Sequence, residues 1–222
     1  MPRIITIDGP SGSGKGTISA LLAARLGWHF LDSGAIYRAL GIAALARGMP
    51  LDQGPALAEL ADSLDLVFRD GRILLDGRDV GDQLRTEASG EAASRVAAIP
   101  EVREALLGWQ RAYAREPGLV ADGRDMGTVV FPQAEVKIFL TAASEERARR
   151  RYNQLKEKGF DVNLRSLILE IEARDLRDRS RAVAPLKAPA AALEVDSTGL
   201  SIDEVFARVL ERVRETFSDL GV

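Results

Sequence analysis

The sequence predicts an α/β protein with a parallel sheet at its centre and helices on both faces. Two patterns predict it. Five short apolar runs, at residues 4–7, 29–31, 119–121, 136–140 and 193–195, have the length and unbroken hydrophobicity of strands buried on both sides. Helical patterns separate them, as right-handed βαβ crossovers require. A third observation places a site. Four of the runs end in or beside polar residues: Asp8, Asp32 with Ser33, Asp122, and Asp196 with Ser197. Open parallel sheets bind ligands beyond the carboxyl ends of their strands.

The first run leads into Gly9-Pro10-Ser11-Gly12-Ser13-Gly14-Lys15-Gly16-Thr17, followed by a helical pattern over residues 18–26. Glycines let the chain turn tightly, so successive N–H groups can share one anion-sized hollow. The next helix turns its positive end to the same anion, and Lys15 adds a mobile charge. A strand before and a helix after make this a phosphate-binding loop rather than a Gly/Ser hinge. Gly16 stands where GTPases and motor ATPases usually keep a magnesium-ligating hydroxyl, and Thr17 follows it. Gly-Lys-Gly-Thr resembles the nucleoside monophosphate kinases. Magnesium would then be held mainly by phosphates and water, with carboxylates nearby.

The second run ends in Leu31-Asp32-Ser33-Gly34-Ala35-Ile36-Tyr37-Arg38 and enters a helix. Ser33 is expected to cap it, with Arg38 one turn in and able to reach a phosphate near the cap. A plain cap and a surface arginine would give the same pattern. Residues 64–80 then break the α/β rhythm. Asp70-Gly71 and Asp76-Gly77 separate short β runs, which predicts a three-stranded antiparallel meander. Helices follow over 87–97 and 101–115, divided at Pro100, and Pro117-Gly118 closes the insert.

The third run leads into Asp122-Gly123-Arg124-Asp125-Met126-Gly127-Thr128. Arg124 offers a fork of donors and Asp125 an acceptor to a single ligand. Asp122, at the strand end, could hold magnesium-bound water. An internal ion pair is the competing explanation. Residues 144–158 form a charged helix with Glu145–Arg149 and Glu146–Arg150 at i,i+4, so a solvated face is a serious alternative. Yet Arg147, Arg149, Arg150 and Arg151 outnumber the nearby acids, and Gly159 ends the helix as a lid tip would. In the second charged cluster, Arg174, Asp178 and Arg181 fall at i, i+4 and i+7 of one helical face, with Arg177 adjacent. Guanidinium groups so placed repel unless an anion joins them. A self-neutralised surface helix would also fit. The stretch over 182–192, rich in alanine and holding Pro185 and Pro189, reads as an ordered loop.

Composition narrows the classes. The chain has 222 residues and a net charge of -3, enough for one large domain and without the basic field that nucleic acid would favour. No cysteine and one histidine leave cysteine-zinc, Ser-His-Asp and Cys-His schemes with little support. His29 is read as structural. The start runs straight into the first strand with no room for a signal peptide, and no apolar run approaches the ~20 residues of a membrane span.

Together these segments resemble the bacterial cytidylate kinase family over nearly the whole chain. The carriers are Ile-Asp-Gly-Pro-Ser-Gly-Ser-Gly-Lys-Gly-Thr from Ile7, Leu-Asp-Ser-Gly-Ala-Ile-Tyr-Arg from Leu31, Asp-Gly-Arg-Asp-Met-Gly-Thr from Asp122, and Arg-Asp-Leu-Arg-Asp-Arg-Ser-Arg-Ala-Val-Ala-Pro-Leu from Arg174. Residues 187–192 match no signature. The resemblance implies a P-loop nucleoside-monophosphate-kinase fold with a five-stranded core over 1–33 and 117–222, a lid at about 148–163, and a nucleoside-monophosphate-binding part over 34–116 holding the β insert at about 64–80. It implies transfer of a phosphoryl group from ATP to CMP or dCMP, with Mg2+, in pyrimidine nucleotide metabolism, by a cytoplasmic monomer. It implies cytosine recognition by Ser94, Arg103, Arg124 and Asp125, ribose contacts by Asp178, and monophosphate contacts by Ser33, Arg38, Arg124 and Arg181. Arg174 would serve nucleotide and phosphate, Arg150 and Arg177 the transferring group, and Lys15 the donor. Two other classes stay open: a P-loop kinase for another small acceptor, and a nucleotide-binding switch without acceptor-dependent turnover.

Overall fold

The structure, a computed structural model, describes residues 2–69, 72–157 and 159–221. In chain order it forms β1 (Arg3–Asp8), α1 (Lys15–Leu26), β2 (His29–Asp32), α2 (Ser33–Ala46), α3 (Gly54–Asp62), β3 (Leu66–Arg69), β4 (Arg72–Leu75), β5 (Arg78–Asp79), α4 (Gly81–Leu84), α5 (Glu87–Val96), α6 (Pro100–Arg111), β6 (Gly118–Gly123), a π-helical turn (Met126–Val130), β7 (Val136–Thr141), α7 (Ser144–Glu157), α8 (Leu164–Ser180), β8 (Leu193–Asp196) and α9 (Ile202–Thr216). They fall into two compact units, Met1–Leu31 with Tyr113–Val222, and Asp32–Ala112.

The first unit is built on a five-stranded sheet of order β2-β6-β1-β7-β8. β1 pairs in parallel with both β6 and β7, and β7 with β8. Every strand read from the sequence is present. Ile5, Ile7, Val120, Val136, Ile138 and Leu140 are buried in the sheet, packed with Ile18 and Leu22 of α1 and Val205, Val209 and Val213 of α9. A capping box starts α9: the Ser201 hydroxyl accepts from the Glu204 N–H, and the Glu204 carboxylate accepts from the Ser201 N–H at 2.8 Å. Central β1 matters for function. Its last residue, Asp8, lies level with Gly123 of β6, so the loops leaving these two strands start side by side. His29, read as structural, has its Nε2 2.9 Å from the Glu116 carbonyl oxygen.

In the second unit α2 packs on α5, and α3 on α6. At the first contact a Cβ on Gly41 would come within 2.8 Å of Ala92 Cβ, so the glycine sets the helix spacing. The meander is present, with β3-β4-β5 antiparallel. Asp76 and Gly77 both have positive φ, the two-residue hairpin geometry that Asp-Gly favours. The expected Asp70-Gly71 turn lies outside the described residues.

Several boundaries differ. Helix α1 starts at Lys15 rather than Ile18, because Gly14, left-handed at φ 93°, is its N-cap. Asp32, not Ser33, caps α2: its carboxylate accepts from the Ala35 N–H at 3.0 Å and Ser33 is already helical. Helix α6 takes Pro100 as its first residue, where a fixed φ is no obstacle, and stops at Arg111 instead of 115. In the loop over 182–192, Ala184 and Leu186 are buried.

Candidate active site

The donor loop begins at a collision. A Cβ on Gly9 would run into the Leu140 carbonyl of β7, so only glycine lets the chain leave β1 here. The N-terminal amides of α1 then open at Lys15, the arrangement that binds anions. Lys15 Nζ donates to the Pro10 carbonyl at 3.2 Å, folded over its own loop. Carbonyl oxygens of the loop would repel a phosphate, and several are engaged. Arg147 Nη1 donates to Ser11 O at 3.0 Å. Ser197 Oγ donates to Ser13 O at 3.0 Å, and Arg150 holds Ser197 through its carbonyl at 2.7 Å and its hydroxyl at 3.1 Å.

Arg147 is buried and does not lie on the solvated face of α7. It makes a two-pronged pair with Asp175 of α8, at 3.1 and 2.5 Å, and a third bond to the Ala142 carbonyl at 2.9 Å. Of the i,i+4 pairs, Glu146–Arg150 forms at 3.1 Å. Helix α7 reaches Glu157, while Lys158 lies outside the described residues; Gly159 follows at φ 81°.

The loop after β6 carries Arg124 and Asp125. Arg124 Nε donates to Asp178 Oδ2 at 2.9 Å and Nη1 to the Gly123 carbonyl at 3.3 Å. The competing ion-pair explanation is therefore partly realised, but across 54 residues and within the site. Asp125 is buried and opens the π-helical turn, its carbonyl accepting from the Val129 N–H at 2.9 Å. Asp8, marked in the sequence only as the polar end of the first strand, finds its partners here. Its two carboxylate oxygens accept from the N–H groups of Met126 and Gly127, each at 2.8 Å. Burial pushes its carboxyl up to about 7 against the pull of those two bonds, with Asp125 and Asp122 adding to the rise.

Asp178 has the opposite setting. Burial would raise its carboxyl, but Arg124, with Arg181 and Arg174, holds it below the usual carboxylate range. Arg124 in turn sits above its ordinary value despite burial, because of Asp178. So Arg124, Arg174 and Arg181 do converge on one carboxylate, though not by the expected face. Arg181 stands past the end of α8 in extended backbone, φ -56° and ψ 135°, so it does not continue the helical face of Arg174 and Asp178. The Leu186 N–H reaches back to the Asp178 carbonyl at 2.8 Å, which turns the chain out of the helix. Arg174 and Arg177 are half-buried on α8.

The remaining candidates lie in the second unit. Ser33 and Ser94 are buried, and Arg38 is half-buried on α2. Arg103 is buried, donates to the Ala97 carbonyl at 3.2 Å, and stacks over Tyr37 at 5.7 Å.

For magnesium the residues fit a minimal role. Among the described residues no cluster of three or more His, Cys, Asp or Glu could hold a metal. Asp122 Oδ2, however, lies where a Cβ on Gly16 would come within 3.2 Å. A carboxylate thus occupies the neighbourhood that a serine or threonine hydroxyl fills in other P-loop proteins.

A phosphate-gripping loop at the head of a parallel sheet, with arginines brought in from a neighbouring helix pair, defines a P-loop phosphotransferase. Comparison with known proteins gives the family. Residues 5–215 match the cytidylate kinase family, and the chain belongs to it. A cytidylate kinase of Aeromonas salmonicida is 59% identical over 99% of this chain and 97% of its own length. One of Methylococcus capsulatus is 60% identical over 95% and 96% respectively. An uncharacterised protein from Eubacterium ventriosum shares the fold at a TM-score of 0.54 and 9% identity, covering 97% of this chain and 99% of its own.

Proposed function

We propose that the chain transfers the γ-phosphoryl group of ATP to CMP or dCMP, giving ADP and CDP or dCDP, as a step of pyrimidine nucleotide metabolism. The observation that carries this reading, beside the family, is the buried Asp125 next to Arg124 on a loop that leaves the sheet level with the donor loop. Cytosine presents an exocyclic amino donor where uracil presents a carbonyl. A carboxylate accepts from the first and is left unpaired by the second.

Lys15 and the N–H groups of the loop from Gly9 to Thr17, Pro10 excepted, hold the donor phosphates. Ser94, Arg103, Arg124 and Asp125 read the base, and Asp178 contacts the ribose while it orients Arg124. Ser33, Arg38, Arg124 and Arg181 hold the monophosphate, and Arg174 serves both ends of the nucleotide. Arg150 and Arg177 neutralise charge on the moving group; for Arg150 this means releasing Ser197. Phosphoryl transfer asks for positioning and charge neutralisation more than for covalent chemistry. The acceptor is already an anionic oxygen, so no general base is required. Mg2+ would supply charge neutralisation at the donor phosphates, with Asp122 holding it through water. Closure of the segment at about 148–163 keeps water from competing with the acceptor. A monomer in the cytoplasm suits this reading, since both substrates are small and soluble.

The test is base discrimination. Loss of a charged hydrogen bond costs about 1.5–3 kcal/mol, roughly ten- to a hundredfold. Asp125→Asn should lower kcat/KM for CMP by that factor and shrink the CMP-over-UMP ratio. Arg124→Ala should raise KM for CMP far more than for ATP. A constant CMP-over-UMP ratio in Asp125→Asn would take base reading away from that carboxylate.

A further inference from the structure

We propose that Asp8 is a positioning residue for acceptor recognition, tying the loop that carries Arg124 and Asp125 to the strand that launches the donor loop. The inference rests on the reading of Arg124 and Asp125 given above. Asp8 is fully buried at the last rung of β1, level with Gly123. The residue that follows Asp8 is Gly9, the start of the donor loop, and the residue that follows Gly123 is Arg124. From this junction Asp8 Oδ1 accepts from the Met126 N–H and Oδ2 from the Gly127 N–H, each at 2.8 Å and across 118 and 119 residues. These are the first and second amides after Asp125.

The chemistry of the position calls for a carboxylate. Two backbone donors need two acceptor oxygens on one short side chain. Asparagine has one oxygen and would aim its NH2 at the other amide. The charged neighbours that act on Asp8, Asp125 and Asp122, are themselves acids, so burial there is unfavourable for charge and favourable only for geometry. The fit around the second amide is tight. A Cβ on Gly127 would stand 2.7 Å from Thr6 Oγ1 and 2.9 Å from Pro189 Cγ. Pro189 belongs to the loop that matched no family signature, and it is buried. With Thr6 of β1 and Pro189 both this close to Gly127, the loop has little room to take a second position. Its tether to Asp8 therefore sets where Asp125 stands.

Asp8→Asn is compared with the unmodified enzyme by steady-state kinetics with CMP, UMP and ATP, and by direct titration of ATP without acceptor. We expect KM for CMP to rise about tenfold, the CMP-over-UMP ratio to fall, and the ATP dissociation constant to change less than twofold. An unchanged KM for CMP overturns the proposal. So does an equal loss of ATP and CMP affinity, which would make Asp8 a support of the donor loop. Asp125→Asn run in parallel separates the two readings. If it alters the CMP-over-UMP ratio and Asp8→Asn does not, only the positioning role fails; if neither does, base reading by this loop fails first. Should Asp8→Asn not fold, amide exchange in the unmodified, ligand-free protein decides. The Met126 and Gly127 amides should exchange as slowly as those of β6. Exchange as fast as exposed loop amides contradicts the tether.

Discussion

Asp8 and Asp178 are both buried carboxylates, yet their protons are held in opposite senses. Asp8 has backbone amides for partners and carboxylates for charged neighbours, and burial pushes it up to about 7. Asp178 is also desolvated, but Arg124, Arg181 and Arg174 surround it and hold it low. The consequences for stability differ in sign. Between about 4 and about 7 the fold keeps a proton on Asp8 that the unfolded chain has lost, so rising pH removes stability through that window. The full span corresponds to on the order of 4 kcal/mol. The contribution of Asp178 is present above the unfolded carboxylate range and disappears as pH falls through its depressed value. Urea unfolding at pH 5 and pH 7.5 should therefore show a steeper loss with pH in the unmodified protein than in Asp8→Asn. An identical slope in the two would contradict the assignment. Arg124 and Asp125 stand out as candidates because the two charges and two glycines lie together in sequence. Asp8 is marked only as a strand-end residue, because its partners lie more than a hundred residues away and only the strand order brings them to it.

Among the elements, α7 and α8 show what a helical pattern can and cannot reveal. The i,i+4 spacing of Glu146 and Arg150 was readable and the pair forms. The partner of Arg147 was not, since Asp175 sits 28 residues on and on another helix. This buried pair joins α7 to α8 and, through the Ser11 carbonyl, to the donor loop. Removing one partner of such a pair leaves a buried charge alone, at a cost of about 3–5 kcal/mol. Arg179, 3.9 Å from Asp175 but mostly exposed, offers only partial compensation. Arg147→Ala should thus destabilise by about 3 kcal/mol or more in chemical unfolding. The double variant Arg147→Met with Asp175→Leu should recover much of that stability while ATP affinity stays reduced, because the Ser11 carbonyl is no longer held. Full ATP affinity in the double variant would show that Arg147 braces the helices alone. The end of α8 departs from the helical pattern for a related reason. Helical spacing aligned Arg181 with Arg174 and Asp178, but the chain leaves the helix before Arg181 and reaches the same carboxylate by turning.

For the whole molecule, the alternation of apolar runs and helical patterns made the parallel sheet legible, and the glycine-rich loop marked its functional end. The pairing of β1 with both β6 and β7 was not written in any local pattern; it follows from which buried faces fit together, among them Ile5, Ile7, Val120 and Ile138. Short helices such as α3 and α4 escaped because four to nine residues carry too little periodicity to separate from loop. The candidate residues belong to two compact units, with the donor loop, Arg124, Asp125 and the α8 arginines in one and Ser33, Arg38, Ser94 and Arg103 in the other. A single reaction with a pyrimidine monophosphate as acceptor would employ both sets. ADP release from ATP, measured with CMP, dCMP, UMP, AMP and GMP in turn and with Lys15→Ala as the inactive control, tests that most directly. The expected result is the highest kcat/KM for CMP and dCMP, negligible ADP release without an acceptor, and turnover abolished in Lys15→Ala. Equal or better use of UMP, AMP or GMP, or ADP release indifferent to the acceptor, would contradict it.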